Sequence, residues 1–106
     1  MLEITWLGHA CWQVKTGQTT LLIDPFLTGN PAASVKADQV TADYILLSHV
    51  HQDHADPPSL SYLRHRNAQS TYLCGLGAGE IIRECTGSQN IQEAGWFQQY
   101  DTKTLV

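Results

Sequence analysis

Four consecutive apolar residues, Tyr44-Ile45-Leu46-Leu47, run straight into a segment holding three of the chain's five histidines. An uninterrupted apolar run of this length suits a strand buried on both faces. Such a strand needs neighbours in a sheet and cover from other layers. The polar segment at its end, Ser48-His49-Val50-His51-Gln52-Asp53-His54, must then emerge at the carboxyl edge, where open α/β sheets build their sites.

The sequence around this junction supports an α/β reading. Leu2 to Trp6 alternates apolar and polar residues, as a half-buried strand does, and Gly8 breaks it. Cys11 to Lys15 alternates again. The turn Thr16-Gly17-Gln18 then leads into a return strand, Thr19 to Ile23, which ends where Pro25 can no longer donate to a ladder. Residues 27–40 are turn-rich, then weakly helical. After the histidines, Asp56-Pro57 predicts a helix start with Asp56 as N-cap, and a helix from Pro58 to Asn67 burying Leu60 and Leu63. A strand from Ser70 to Cys74 and a helix from about Ala78 to Glu84 continue the rhythm. Further strands are expected at Trp96 to Tyr100 and from Thr104 onward. The chain does not end like a finished domain, and the expectation is a partial domain over residues 1–106.

Composition narrows the function. The formal net charge is -4 and the six Lys and Arg residues are scattered, whereas nucleic-acid binders concentrate basic charge on one face. No apolar run approaches the roughly 20 residues that span a bilayer. The N-terminus has no basic, apolar leader pattern, so a cytoplasmic location is expected. Three cysteines, Cys11, Cys74 and Cys85, without C-x-x-C spacing read as free thiols in a reducing compartment. Cys11, two residues after His9, lacks an activating third group and reads as a small buried hydrophobe.

The histidine segment carries the chemistry. Residues i and i+2 of an extended segment project to one side, so His49 and His51 can bind one ion together. A tight turn then brings Asp53 and His54 to a second position. Imidazole and carboxylate suit Zn2+, with Mn2+ or Fe2+ as neighbouring choices. A helical H-E-x-x-H protease site is excluded, because no histidine pair at i, i+4 brackets a Glu.

The motif His49-x-His51-x-Asp53-His54 resembles the signature of the metallo-β-lactamase superfamily. Trp6-Leu7-Gly8-His9-Ala10 and Leu22 to Pro31 are similar to the metal-dependent hydrolase branch that includes L-ascorbate-6-phosphate lactonase and, more distantly, N-acyl-phosphatidylethanolamine phospholipase D type enzymes. The resemblance is specific from Met1 to about Asp56 and holds beyond that only in rhythm. It implies the N-terminal half of an αββα sandwich, and hydrolysis of an ester, lactone or phosphodiester in a small-molecule substrate by metal-activated water. His49 and His51 would bind the first metal, and Asp53 and His54 the second. Asp53 would also be the candidate catalytic carboxylate, with Asp24 behind the loop to orient it. A complete site takes a further histidine, a bridging aspartate and a last histidine from later sequence. Here His65, in the basic stretch Arg64-His65-Arg66, is the only later histidine. A homo-oligomer, or a missing C-terminal half, is therefore expected to complete the fold. The rival reading is a truncated, non-catalytic fragment that binds metal weakly.

Two other features call for a choice. Gly75-Leu76-Gly77-Ala78-Gly79 invites a dinucleotide-binding reading, but its third glycine comes one position early, and a flexible strand-to-helix turn is expected. His9 lines the floor of the site or occupies a turn between strands; the turn is preferred, and His9 is not counted as a ligand.

Overall fold

The computed structural model describes residues 2–33, 35–48, 56–64 and 66–94. They form one mixed sheet of six strands in chain order: β1 (Leu2–Gly8), β2 (Cys11–Thr16), β3 (Thr19–Ile23), β4 (Tyr44–Leu47), β5 (Thr71–Gly75) and β6 (Ile91–Ala94). The first three strands are an antiparallel meander, and β3 to β6 run parallel. Parallel neighbours need crossovers. Helices α1 (Pro57–Leu63) and α2 (Gly79–Thr86) make two of them, and they contact each other on one face of the sheet.

That face holds the core. Leu22, Ile45 and Tyr72 lie in one cross-strand row, with Leu47 and Cys74 two residues on, and all are buried against Leu60, Leu63 and Ile82 of the helices. At about 25 cal/mol per Å² of apolar surface removed from water, this row and the helix faces hold the layers together. The opposite face carries Trp6, Trp12, Ile23, Leu46 and Leu73 in a second row across β1 to β5. Trp6 remains 53% exposed and Trp12 41%.

Several expectations shift in detail. Among the described residues strand β4 is covered on one face, with Ile45 and Leu47 buried and Tyr44 and Leu46 half-buried. Strand β1 is an edge strand whose apolar positions Leu2, Ile4 and Trp6 are exposed, so its alternation marks a face without cover among the described residues. Helix α1 starts as predicted, with the Asp56 side chain accepting from Ser59 N, but it ends at Leu63 instead of Asn67. The buried Asn67 side chain has a different task. Its Nδ2 donates to Val40 O and Leu63 O, and its Oδ1 accepts from Ala42 N, tying the helix end to the segment that leads into β4. Among the described residues of 27–40 the helical structure is a three-residue 3-10 turn, Ala37–Gln39. Strand β6 was not expected, because Ile91-Gln92-Glu93-Ala94 has little strand propensity and exists through pairing with β5. The expected strands at Trp96 to Tyr100 and beyond Thr104 lie outside the described residues.

Candidate metal centre

Strands β3, β4, β5 and β6 all finish at the same edge, and the segment 49–55 leaves from it. His49, His51, Asp53 and His54 lie outside the described residues. The structure does describe how both ends of that segment are held.

At its start, Asp24 follows β3 directly and is 4% exposed. Its Oδ1 accepts from Ser48 N at 2.7 Å and its Oδ2 from Ser48 Oγ at 2.6 Å. These are charge-assisted bonds at short, strong distances. Asp24 N in turn donates to Leu46 O at 2.8 Å, so one residue grips β4 through main chain and side chain together. The grip needs an unusual backbone: Asp24 has φ of 45°, a left-handed conformation costing about 1 kcal/mol or more for a non-glycine residue. A γ-turn across Pro25, with Phe26 N donating to Asp24 O, fixes the exit.

At the far end, Asp56 Oδ2 caps helix α1, accepting from Ser59 N at 3.1 Å and Ser59 Oγ at 2.5 Å. The fully buried Ser59 Oγ accepts in turn from Leu27 N and Thr28 N, both at 2.9 Å. The loop after Asp24 and the start of α1 thus share one hydroxyl. Both Ser48 and Ser59 escape a motif search; the signal for Ser48 is its place immediately before the first histidine, on the strand neighbouring Asp24.

The turn between β1 and β2 reaches the same edge. His9 has φ of 54°, its carbonyl accepts from the Trp6 indole at 2.7 Å, and its ring meets Phe26 edge-on at 5.9 Å between centroids. Gly8, with φ of 116°, lies against the backbone of Ala32, where an added Cβ would stand 2.9 Å from the carbonyl carbon and oxygen.

The thiols are unsuited to nucleophilic work. Cys11 is pushed up to about 12 by burial, then by the nearby Asp24 carboxylate, against a smaller opposing effect of the Phe26 backbone. Burial and then Glu93 push Cys74 up to about 11. Both stay protonated at neutral pH. The glycine-rich turn after β5 is also accounted for: Glu93 Oε1 accepts from Gly79 N at 2.9 Å. A carboxylate of the chain itself therefore occupies the start of α2, where a dinucleotide phosphate would bind.

A family model described as the beta-lactamase superfamily domain matches residues 3–103. The chain belongs to this superfamily. Its six-stranded sheet and two helices are the N-terminal part of the superfamily's αββα sandwich. Among similar proteins, a UPF0173 metal-dependent hydrolase of Thermoplasma volcanium is 52% identical over 84 residues, covering 78% of this chain and 35% of the relative. That of Listeria innocua is 32% identical over 103 residues, covering 94% and 43%. The chain spans less than half the length of each of these curated relatives. Among solved structures, CmlA, a diiron beta-hydroxylase from Streptomyces venezuelae, matches with a TM-score of 0.73 and 27% identity, covering 94% of this chain and 22% of CmlA. Igni18, a metallo hydrolase of Ignicoccus hospitalis, shares the fold with a TM-score of 0.67 at 20% identity, covering 98% and 44%. Among the described residues no helix is long and apolar enough to cross a membrane.

Proposed function

We propose that this chain carries the N-terminal half of a metal-dependent hydrolase site, with His49 and His51 on one divalent ion and Asp53 and His54 on a second. The observation that carries this reading is the Asp24 clamp on Ser48. A buried carboxylate in a strained conformation holds the N–H and the hydroxyl of the residue immediately before the histidines. Strain of this sort accumulates where a site must be held in place. Three imidazoles and a carboxylate on one short segment form a donor set that fits Zn2+ and tolerates Mn2+ or Fe2+. When bound, divalent ions would supply a water activated near neutral pH and positive charge opposite a developing oxyanion. The chain's own part is to hold that donor set: Asp24 fixes its start through Ser48, and Asp56 and Ser59 fix its end at the helix. Residues of this supporting kind typically alter metal affinity or activity by about 10- to 100-fold when lost.

The names of the relatives support hydrolysis, and a small-molecule ester, lactone or phosphodiester is the proposed substrate class. The exposed Trp6 and Trp12 of the second row, on a sheet face without cover among the described residues, support a second proposal. Residues 1–106 alone form a partial domain, completed by a C-terminal half or by a second copy of the chain. The same row favours the rival reading, in which the isolated 106 residues bind metal weakly and do not turn over. One set of measurements separates them: Zn2+ content, sedimentation, and hydrolysis of p-nitrophenyl acetate and bis-p-nitrophenyl phosphate, on residues 1–106 and on the full-length protein. Metal and turnover in the full-length protein, with self-association and weak metal binding in the segment, are expected. A monodisperse, metal-free monomer in both cases would overturn the hydrolase reading.

A further inference from the structure

We propose that Arg64, Tyr72 and Ser88 form a phosphate-binding site at the edge of the sheet opposite the one where Asp24 meets Ser48. The site is separate from the hydrolase reading and needs no metal.

Topology gathers these residues. Helices α1 and α2 run back against the parallel strands, so their last turns and the connections to β5 and β6 meet where those strands begin. Arg64 caps the end of α1, Tyr72 is the second residue of β5, and Ser88 follows the α2 cap at Gly87. Together with Asn67 and Thr86 they line one cavity of about 420 Å³, within the range of about 300–1,000 Å³ usual for small-molecule sites.

The Tyr72 hydroxyl points to a ligand. Tyr72 is 1% exposed, and its Oη is buried without a hydrogen-bond partner among the described residues. A native fold seldom leaves such a group unmatched. The hydroxyl lies near Thr86, a wall of the cavity, which offsets a little of the rise in its pKa caused by burial. Thr86 Oγ1 is already committed, donating to Ile82 O at 2.7 Å and accepting from Ser88 N at 3.1 Å. The Asn67 amide is committed as well, to Val40, Leu63 and Ala42.

The groups left to meet a ligand are donors. Tyr72 stays protonated at neutral pH, because burial holds its pKa above the usual range. Ser88 Oγ accepts from Asn90 N at 3.1 Å and has its own proton to give. Arg64 is exposed and brings a guanidinium. None of the residues lining the cavity is acidic. One cation and two hydroxyl donors, arriving from three separate elements, suit the several oxygens of a tetrahedral phosphate. The carbonyl end of α2 opposes an anion weakly, and charge-assisted bonds outweigh it.

The test uses the full-length protein. Inorganic phosphate and glycerol 3-phosphate, titrated separately, should each shift the amide resonances of Gly87 and Ser88 saturably. Tighter binding of glycerol 3-phosphate would identify a phosphomonoester as the ligand, and equal affinities free phosphate. Tyr72→Phe removes only the hydroxyl. Without phosphate it should melt at an equal or higher temperature than the parent, because an unpartnered hydroxyl adds no bond to the fold. It should nevertheless bind phosphate about tenfold more weakly, as should Arg64→Gln, through the loss of a hydrogen bond to a charged group. Absence of saturable shifts, or unweakened affinity in both variants, would overturn the inference. So would a Tyr72→Phe protein that melts well below the parent, since the hydroxyl would then serve the fold.

Discussion

Removing the Asp24 carboxylate should loosen the histidine segment before it disturbs the core. Hydrogen bonds to a charged group contribute about 1.5–3 kcal/mol each, and Asp24 makes two to Ser48, at 2.7 and 2.6 Å. Ser48 is exposed, so water can satisfy its freed N–H and hydroxyl, which puts the pair at the lower end, about 3 kcal/mol together. Asp24→Ala also places alanine at φ of 45°, a left-handed conformation that aspartate tolerates better, adding up to about 1 kcal/mol. The total is about 3–4 kcal/mol. Asp24→Asn keeps the tolerance for that conformation and one acceptor for Ser48 N, and should lose only about 1 kcal/mol. Urea unfolding of both variants measures these values. Zn2+ titration against a chromophoric chelator should show affinity lowered about 10- to 100-fold in Asp24→Ala. Unchanged stability together with unchanged Zn2+ affinity in that variant would refute the clamp.

Gly8→Ala combines φ of 116° with a Cβ at 2.9 Å from the Ala32 backbone, and should lower stability by about 2–4 kcal/mol in urea unfolding. Ser59→Ala leaves the N–H groups of Leu27 and Thr28 without their shared acceptor, at about 2–4 kcal/mol by the same assay. Cys11 and Cys74 should resist thiol reagents in the native protein at pH 8, with half-buried Cys85 labelled first, as mass spectrometry would show. Their raised folded values mean that between about pH 9 and 11–12 the unfolded chain holds fewer protons than the native one. The contribution of these two thiols to stability is therefore full below about pH 9 and should be lost as pH rises through that window, measured by thermal melts.

Some of this was legible in the residues alone. Tyr44 to Leu47, the Thr19 to Ile23 return strand and the Asp56-Pro57 helix start are local signals, carried by an apolar run, a turn and a cap, and each element forms where its signal lies. The histidine spacing is likewise written in the sequence, because ligand chemistry depends on residue type and separation along the chain. Other features depend on distant partners. Strand β6 has almost no propensity of its own and exists because β5 offers an edge. Helix α1 stops at Leu63 because Asn67 gains three hydrogen bonds by turning back to Leu63, Val40 and Ala42. The link between Asp24 and Ser48 spans 24 residues, and only the parallel alignment of β3 and β4 closes it. Residue type and spacing along the chain are enough to mark the candidate ligands and strands β1 to β5, but not β6. That Asp24 holds Ser48, and that one sheet face lacks cover among the described residues, follow from the register between strands, which local preference does not encode.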